Sequence, residues 1–105
     1  MGTIVVVVYK PREGKSKELE DLVAKHVPIL RKEGLATERH PVVMRAADGS
    51  IVEVFEWLSS KAIDDAHNNE RVQELWGEFE KVCTYERPDS LPEFRELFSS
   101  FESID

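Results

Sequence analysis

GSIVEVFEWLSSKAIDDAHNNERVQELWGEFEKVC, residues 49–83, is the segment around which the rest of the predicted fold is arranged. It opens with a run typical of a β-strand, Ile51 to Leu58, in which apolar and acidic residues are mixed. Ser59 and Ser60 follow, and either is suited to begin a helix because a serine oxygen accepts a free N–H of the first turn. The stretch therefore predicts a strand followed directly by a helix.

The helix is predicted from about Ser60 to Cys83 by apolar residues that recur mostly every three or four positions. Asn68 and Asn69 are a point where it can be interrupted, because asparagine competes with the helix for backbone hydrogen bonds. The apolar positions are Ala62, Ile63, Ala66, Leu75, Trp76, Phe79 and Val82.

Upstream, TIVVVVY at Thr3–Tyr9 is almost entirely β-branched and predicts a strand that is apolar on both faces. A first helix is predicted from Ser16, with acidic residues near its start and Gly34 as its C-terminal cap. Pro28 removes one backbone donor and is expected to kink or shorten this helix near residues 24–28. The buried stripe is predicted to contain Leu19, Leu22, Val23, His26, Val27 and Leu30.

The next two strands are predicted as a hairpin, Pro41–Ala47 and Ser50–Leu58, around the two-residue turn Asp48-Gly49. This turn places Met44 opposite Glu53. One face would then carry Val42, Met44, Ile51, Glu53, Phe55 and Trp57, and the other Val43, Arg45, Val52, Val54 and Glu56, with Arg45 and Glu56 as a structural ion pair.

After the second helix, Thr84–Arg87 is predicted to start a fourth strand. Residues 88–105 are predicted as a C-terminal extension of one domain that spans residues 1–105. Ser90 to Glu93 has the spacing of a capping box and predicts a short helix, Pro92–Phe98. The final FSSFESI is apolar enough to dock, for example as an edge strand.

The element order β-α-β-β-α-β is that of the ferredoxin-like split unit, an α+β fold with an antiparallel sheet and both helices on one face. Because the strands are apolar on both faces, something must cover the second face. A second copy packed sheet on sheet would do so and predicts a homodimer. The C-terminal segment is the alternative cover for part of that face.

Composition excludes several classes of partner. The net charge is -7 and no basic run is present, which argues against nucleic acid and against an anionic membrane surface. The single cysteine, Cys83, fits a reducing compartment, so a cytoplasmic location is predicted. No metal-ligand spacing, phosphate loop or nucleotide fingerprint is present, and no cofactor is predicted.

The runs Glu53-Val54-Phe55-Glu56-Trp57, Ala62-Ile63 and Ala66-His67, with Ser60 and Val72, resemble the antibiotic biosynthesis monooxygenase-like members of the dimeric α/β-barrel superfamily. His26-Val27-Pro28-Ile29-Leu30 followed by Gly34 fits bacterial relatives of this type. The resemblance in overall pattern covers most of residues 3–87, and the tail from Ser90 is less typical. It implies a ferredoxin-like homodimer with a pocket between sheet and helices, and it does not by itself imply oxygenase activity.

Two histidines are the candidate catalytic groups, because histidine titrates near neutral pH and can act as a general base. His67 lies beside the apolar face of the second helix, and His26 lies on the apolar stripe of the first. Either could instead be a structural histidine with a satisfied ring. If both helices pack on one sheet face, the two rings could converge on one cavity. His40 lies beside Pro41 and is expected in solvent.

Glu53 shares a predicted face with Phe55 and Trp57. It is either a carboxyl group at a ligand site or the partner of a cation across the dimer interface. Trp76, Phe79, Phe55, Trp57 and Tyr9 are the candidate walls of a pocket for a flat apolar ligand, and plain core residues otherwise.

Three functions remain open from the sequence. The resemblance implies an enzyme that oxidises or rearranges a small phenolic or aromatic substrate without metal or flavin, with His67 or His26 as base. The heme-degrading branch fits poorly, because it uses an asparagine early in the first strand, which here contains Thr, Ile and Val. The second function is non-catalytic binding of a small hydrophobic molecule, as in a stress-related protein. The third is a dimer in which no pocket survives.

Overall fold

A computed structural model describes residues 1–105, and its secondary structure follows the predicted order. The strands and helices, in chain order, are β1 (Thr3–Pro11), α1 (Ser16–Lys32), β2 (Val42–Arg45), β3 (Ile51–Trp57), α2 (Ser60–Ala66), α3 (Glu70–Val82), β4 (Cys83–Glu86) and β5 (Glu102–Ser103). Two short 3₁₀ turns, Pro88–Ser90 and Pro92–Arg95, lie between β4 and β5.

The five strands form one antiparallel sheet in the order β4-β1-β3-β2-β5. The β-branched strand β1 and the mixed strand β3 are its central pair, as expected for strands with two buried or half-buried faces. The α+β class and the antiparallel sheet are confirmed. The topology is compatible with the predicted ferredoxin-like fold.

Helices α1 and α3 pack on one face of the sheet, where the buried residues form two adjacent clusters. In β1, Val7 lies opposite Glu53 and Tyr9 opposite Ile51, so the side chains of these four residues point toward the helices. Tyr9 and Ile51 pack against Leu19 of α1, and Phe79 of α3 completes the contact. This register places polar atoms of Tyr9 and Glu53 directly under the helices.

The register predicted for the β2–β3 hairpin is wrong by one residue. Val43, not Met44, lies opposite Glu53, and Arg45 lies opposite Ile51. The Asp48-Gly49 turn would need positive φ at both residues, and only Gly49 has it, at 93°. The N–H of Gly49 instead bonds the carbonyl of Ala46, which makes the connection longer than two residues.

A one-residue shift exchanges the two faces of β2, because side chains alternate along a strand. Arg45 therefore lies on the helix side and binds Glu20 of α1 at 2.8 Å and Glu102 at 2.7 Å. The predicted Arg45–Glu56 ion pair is wrong. Glu56 instead pairs with Arg39, and this guanidinium together with the Thr37 hydroxyl lowers the pKa of the Glu56 carboxyl.

The second helix is interrupted at the predicted place. The side chain of Asn69 accepts a hydrogen bond from the N–H of Val72 at 3.0 Å and thereby caps α3 as a separate helix. The expected shortening of α1 is wrong, because this helix continues through Pro28 to Lys32. Pro28 and Ala24 are both exposed, so the carbonyl that Pro28 leaves unpaired can bind water.

The C-terminal residues cover part of the second sheet face. Leu91 is fully buried against Val8 and Val52, and Phe94 and Phe101 pack on the same cluster. The predicted helix Pro92–Phe98 is only a 3₁₀ turn, and the final residues add the edge strand β5 beside β2. The remainder of this face leaves Ile4, Val6 and Val42 exposed.

None of the helices is long and apolar enough to cross a membrane. The cytoplasmic location stays a prediction.

Candidate active site

A cavity of about 400 Å³ lies between the helix side of the sheet and the helices, and its walls are mostly aromatic. We call it the aromatic cavity. Strands β1 and β3 form its floor, with Val5 directly opposite Phe55 in the register. The lining residues are Val5, Val7, Tyr9, His26, Phe55, Trp57, Ile63, Trp76, Phe79, Glu80 and Tyr85.

His26 is the one histidine that lines this cavity. It projects from the buried face of α1 and is only 4% exposed. Its ring packs edge-on against Phe55 and Phe79, with ring centroids 5.2 and 5.3 Å apart. The ring is thus held at a fixed position between the sheet and α3.

Glu53 is the polar partner of His26. Its Oε1 atom lies 2.9 Å from Nδ1 of His26, and its side chain is fully buried. A buried carboxylate is costly unless it is paired and hydrogen-bonded. The pair therefore fixes the orientation of the imidazole and gives a compensating charge to any imidazolium that forms there.

Tyr9 donates a second hydrogen bond to the same carboxylate oxygen, at 2.7 Å. Burial, reinforced by the neighbouring charge of Glu53, raises the pKa of Tyr9 well above its ordinary value. Tyr9 is thus a neutral hydroxyl donor at physiological pH. The other oxygen of Glu53, Oε2, is buried without a hydrogen-bond partner in the protein.

Trp76 contacts the other ring nitrogen of His26. Its Nε1–H points at Nε2 of His26 across 3.3 Å. An indole N–H can only donate, so Nε2 is the acceptor and carries no proton. The proton of a neutral ring is then on Nδ1, where it is donated to Glu53. The two contacts assign the Nδ1–H tautomer to His26.

His67 lies outside the aromatic cavity. It is exposed just after α2, its Nδ1 is 2.8 Å from the carbonyl of Ile63, and its ring packs edge-on against Trp76 with centroids 5.3 Å apart. The predicted convergence of His26 and His67 on one cavity is not what the structure has. Each ring contacts Trp76, and only His26 reaches the cavity.

The other predicted pocket residues divide into two groups. Trp76, Phe79, Phe55 and Trp57 all line the cavity, whereas Glu53 lies behind it and reaches it only through His26 and Tyr9. The predicted pairing of Glu53 with a cation across a sheet-on-sheet dimer interface is wrong, because Glu53 is fully buried within the single chain on the helix side of the sheet. His40 is exposed, as expected, and lies 3.3 Å from Asp105.

Sequence reasoning missed the hydroxyl of Tyr9 as a partner of Glu53, and it missed Tyr85 and Ile63 as lining residues. The available signal was period two: Val5, Val7 and Tyr9 share one face of β1, the face that the β3 register sets beside Glu53 and Phe55. Tyr85 follows because β4 pairs it with Tyr9.

Cys83 has the character of a structural thiol. It is buried, its Sγ lies 3.2 Å from the carbonyl of Phe79, and burial raises its pKa to about 11. No group of three or more His, Cys, Asp or Glu side chains is placed to hold a metal ion.

No protein-family model matches this chain, and no curated protein or solved structure is significantly similar to it.

Proposed function

We propose that this protein binds a small aromatic molecule in the aromatic cavity and that His26 acts there as a general base toward a phenolic or enolic O–H group. The single observation that carries the proposal is the buried Glu53–His26 pair at the wall of a cavity built from aromatic side chains. Perturbed or paired titratable groups inside an apolar cavity are a common mark of a reaction site.

The chemistry follows from the roles of the three polar side chains. Nε2 of His26 takes the proton from the ligand oxygen, and the carboxylate of Glu53, 2.9 Å from Nδ1, stabilises the imidazolium that results. Tyr9 holds the same carboxylate oxygen in place at 2.7 Å. The apolar walls then keep the electron-rich anion away from water for reaction with oxygen.

This reaction is that of the family the sequence resembles. Antibiotic biosynthesis monooxygenase-like proteins of the dimeric α/β-barrel superfamily can oxidise or rearrange such substrates without metal or flavin. We propose membership of that group and a cofactor-independent reaction, and we favour His26 over His67 as the base because only His26 lines the cavity.

Oxygen consumption and product formation with a panel of phenols and quinols test the proposal. His26→Gln keeps a polar side chain of similar size and removes the base, so turnover should fall about 100-fold or more. His67→Gln is the matched control and should retain turnover. Circular dichroism checks that both variants fold.

The outcomes separate the alternatives. Loss of turnover in H67Q with retention in H26Q would assign the base to His67 instead. Turnover that survives in both variants would exclude a histidine base. If no compound of the panel binds to the protein, the proposal as a whole is contradicted.

A second candidate function is non-catalytic binding of a small hydrophobic molecule, as in a stress-related protein. The observation that favours it is that both ring nitrogens of His26 already have partners, Glu53 and Trp76. With Nε2 occupied by the indole N–H, His26 offers no basic nitrogen to a ligand, which suits retention of a hydrophobic molecule without reaction. Binding of panel members without oxygen consumption or product would support this function over the enzyme.

We also propose a homodimer formed through the second sheet face, which would complete the dimeric α/β barrel. Its support is the exposure of Ile4, Val6 and Val42 on the half of that face that the C-terminal residues leave open. Leu97 and Phe98, 91% and 86% exposed, lie in the C-terminal segment whose flanking residues Phe94 and Phe101 pack on this face. Apolar groups concentrated in this way are typical of an interface.

A further inference from the structure

The nitrogen that the proposed reaction needs is already occupied. Nε2 of His26 accepts the indole N–H of Trp76 at 3.3 Å, while Nδ1 is committed to Glu53 at 2.9 Å. A neutral imidazole has one acceptor nitrogen, so the ring has no free lone pair in this arrangement. A ligand can use His26 as a base only if the indole N–H moves away.

We propose that Trp76 sets the ligand specificity of the aromatic cavity by capping Nε2 of His26 until a ligand that carries its own O–H group displaces it. The inference deepens the proposed function and rests on it, since it assumes that aromatic ligands enter this cavity. It assigns to Trp76 a specificity-determining role.

Displacement is feasible for three reasons. The contact of 3.3 Å is longer than the usual N–H hydrogen bond of about 2.9–3.0 Å, so little is lost when it breaks. Trp76 is only partly buried, which allows its N–H to bind water after it leaves His26. His67, which packs against the indole, is itself exposed, so its ring can move and does not block rotation of the Trp76 side chain.

Selectivity arises from what each class of ligand offers to Nε2. A phenolic O–H replaces the indole N–H with a stronger donor, so the nitrogen keeps a partner throughout. An aryl ether of the same shape has no proton to donate, and displacement by it would leave a buried acceptor unpaired, which is unfavourable. The ether must therefore bind with the cap in place, and it gains apolar contacts only.

Trp76→Phe removes the cap and keeps an aromatic wall. A phenol then no longer competes with the indole, whereas an ether gains nothing at Nε2. Trp57→Phe is the matched control, because Trp57 lines the same cavity and makes no contact with Nε2 of His26. Comparing the two ligands within each variant cancels the change in cavity size that both substitutions cause.

The experiment measures the Kd of 2-naphthol and of 2-methoxynaphthalene by calorimetry for the wild-type protein, W76F and W57F. The affinity ratio of naphthol to ether should rise about 3- to 10-fold in W76F, the usual range for one hydrogen bond, and stay unchanged in W57F. In wild-type ¹⁵N spectra, naphthol should shift the Trp76 indole resonance as the contact breaks, and the ether should leave that contact intact.

Histidine ¹⁵N spectra of the ligand-free wild type test the cap without any ligand or variant. They should report the Nδ1–H tautomer for His26, and an Nε2–H ring would overturn the inference. Naphthol that binds with the same ratio in W76F as in wild type would overturn the specificity role and leave the proposed function standing. Failure of both compounds to bind any of the three proteins would refute the proposed function, and the specificity role with it.

Discussion

Nδ1 of His26 and Oε1 of Glu53 lie 2.9 Å apart although 27 residues separate them in the chain, and both side chains are almost wholly buried. The contact joins α1 to the central strand β3. It is also part of a chain of hydrogen bonds that runs from Tyr9 through Glu53 and His26 to the indole of Trp76. Stability and the proposed base chemistry therefore depend on the same carboxylate.

Replacement of Glu53 by Gln should destabilise the protein by about 1–3 kcal/mol in urea unfolding. The amide oxygen can still accept from Tyr9 and His26. The amide nitrogen, however, would take the place of Oε2, which has no partner in the protein, and a buried N–H₂ group without an acceptor is costly.

Glu56→Gln is the control for this measurement, because Glu56 is in the same strand but forms its ion pair with an exposed Arg39. It should unfold much as the wild type does. Unchanged stability of E53Q would instead mean that the carboxyl of Glu53 is neutral in the native protein, since an amide mimics that form.

The sequence predicted the elements well and their mutual placement less well. The β-branched run in β1 and the three- and four-residue apolar spacing in α3 are local signals, and both elements appear where they were expected. The β2–β3 register is not local in this sense. It depends on the φ angle at Asp48. Because the turn was predicted wrongly there, Arg45 and Val43 were assigned to the wrong face of the sheet.

The candidate site shows the same division. That His26 is buried followed from its position on the stripe of α1, and aromatic walls followed from the spacing of Trp76 and Phe79. The Glu53–His26 contact depends on the position of α1 along β3. That relative position cannot be read from the sequence of either segment alone. His67 was misplaced because α2 ends at Ala66 and buries only Ala62 and Ala66, which leaves the adjacent His67 in solvent.

Stability should fall as the pH rises above about 9. Burial raises the pKa of Cys83 from 9.0 to about 11 and that of Tyr85 from 10.0 to about 12, and burial together with Glu53 raises the pKa of Tyr9 well above its ordinary value. Between the unfolded and folded pKa values the native state holds more protons than the unfolded state, so the free energy of unfolding decreases with pH. The loss begins near pH 9 and continues through pH 11 to 12.

Urea unfolding at intervals from pH 8 to 12 measures this decline. Tyr9→Phe removes one of the groups that ionise only on unfolding, so its stability curve should fall less steeply above pH 10 than that of the wild type. The part of the tyrosinate absorbance that comes from Tyr9 should rise only as the protein unfolds. A flat stability profile across this range would contradict the buried, protonated state of these groups.

Leu91→Ala should destabilise the protein by about 2–5 kcal/mol, the usual cost of a large-to-small change in a core. Leu91 is 2% exposed and packs against Val8 and Val52 on the second sheet face, so its removal leaves a cavity between the sheet and the C-terminal residues. Arg95→Ala, at an exposed position of the same segment that the homodimer proposal does not use, is the control. Equal midpoints for the two variants in urea would mean that residues 88–105 are not packed on the sheet.

Val6→Glu should convert the proposed homodimer to monomer. Val6 lies on the open half of the second sheet face, beside Ile4, and its side chain is already exposed in the single chain, so the charge costs the monomer little. In a sheet-on-sheet dimer the same carboxylate would be buried without a cation, and by two-fold symmetry its copy would lie close to it.

Sedimentation velocity reports the oligomeric state directly. Ala24→Glu, at an exposed position of α1, adds the same charge away from the sheet and should leave the dimer intact. Because the aromatic cavity lies on the opposite side of the sheet from Val6, ligand binding by the V6E monomer should survive. A wild-type protein that sediments as a monomer would remove the dimer proposal, and the exposed half of the face would then need another occupant.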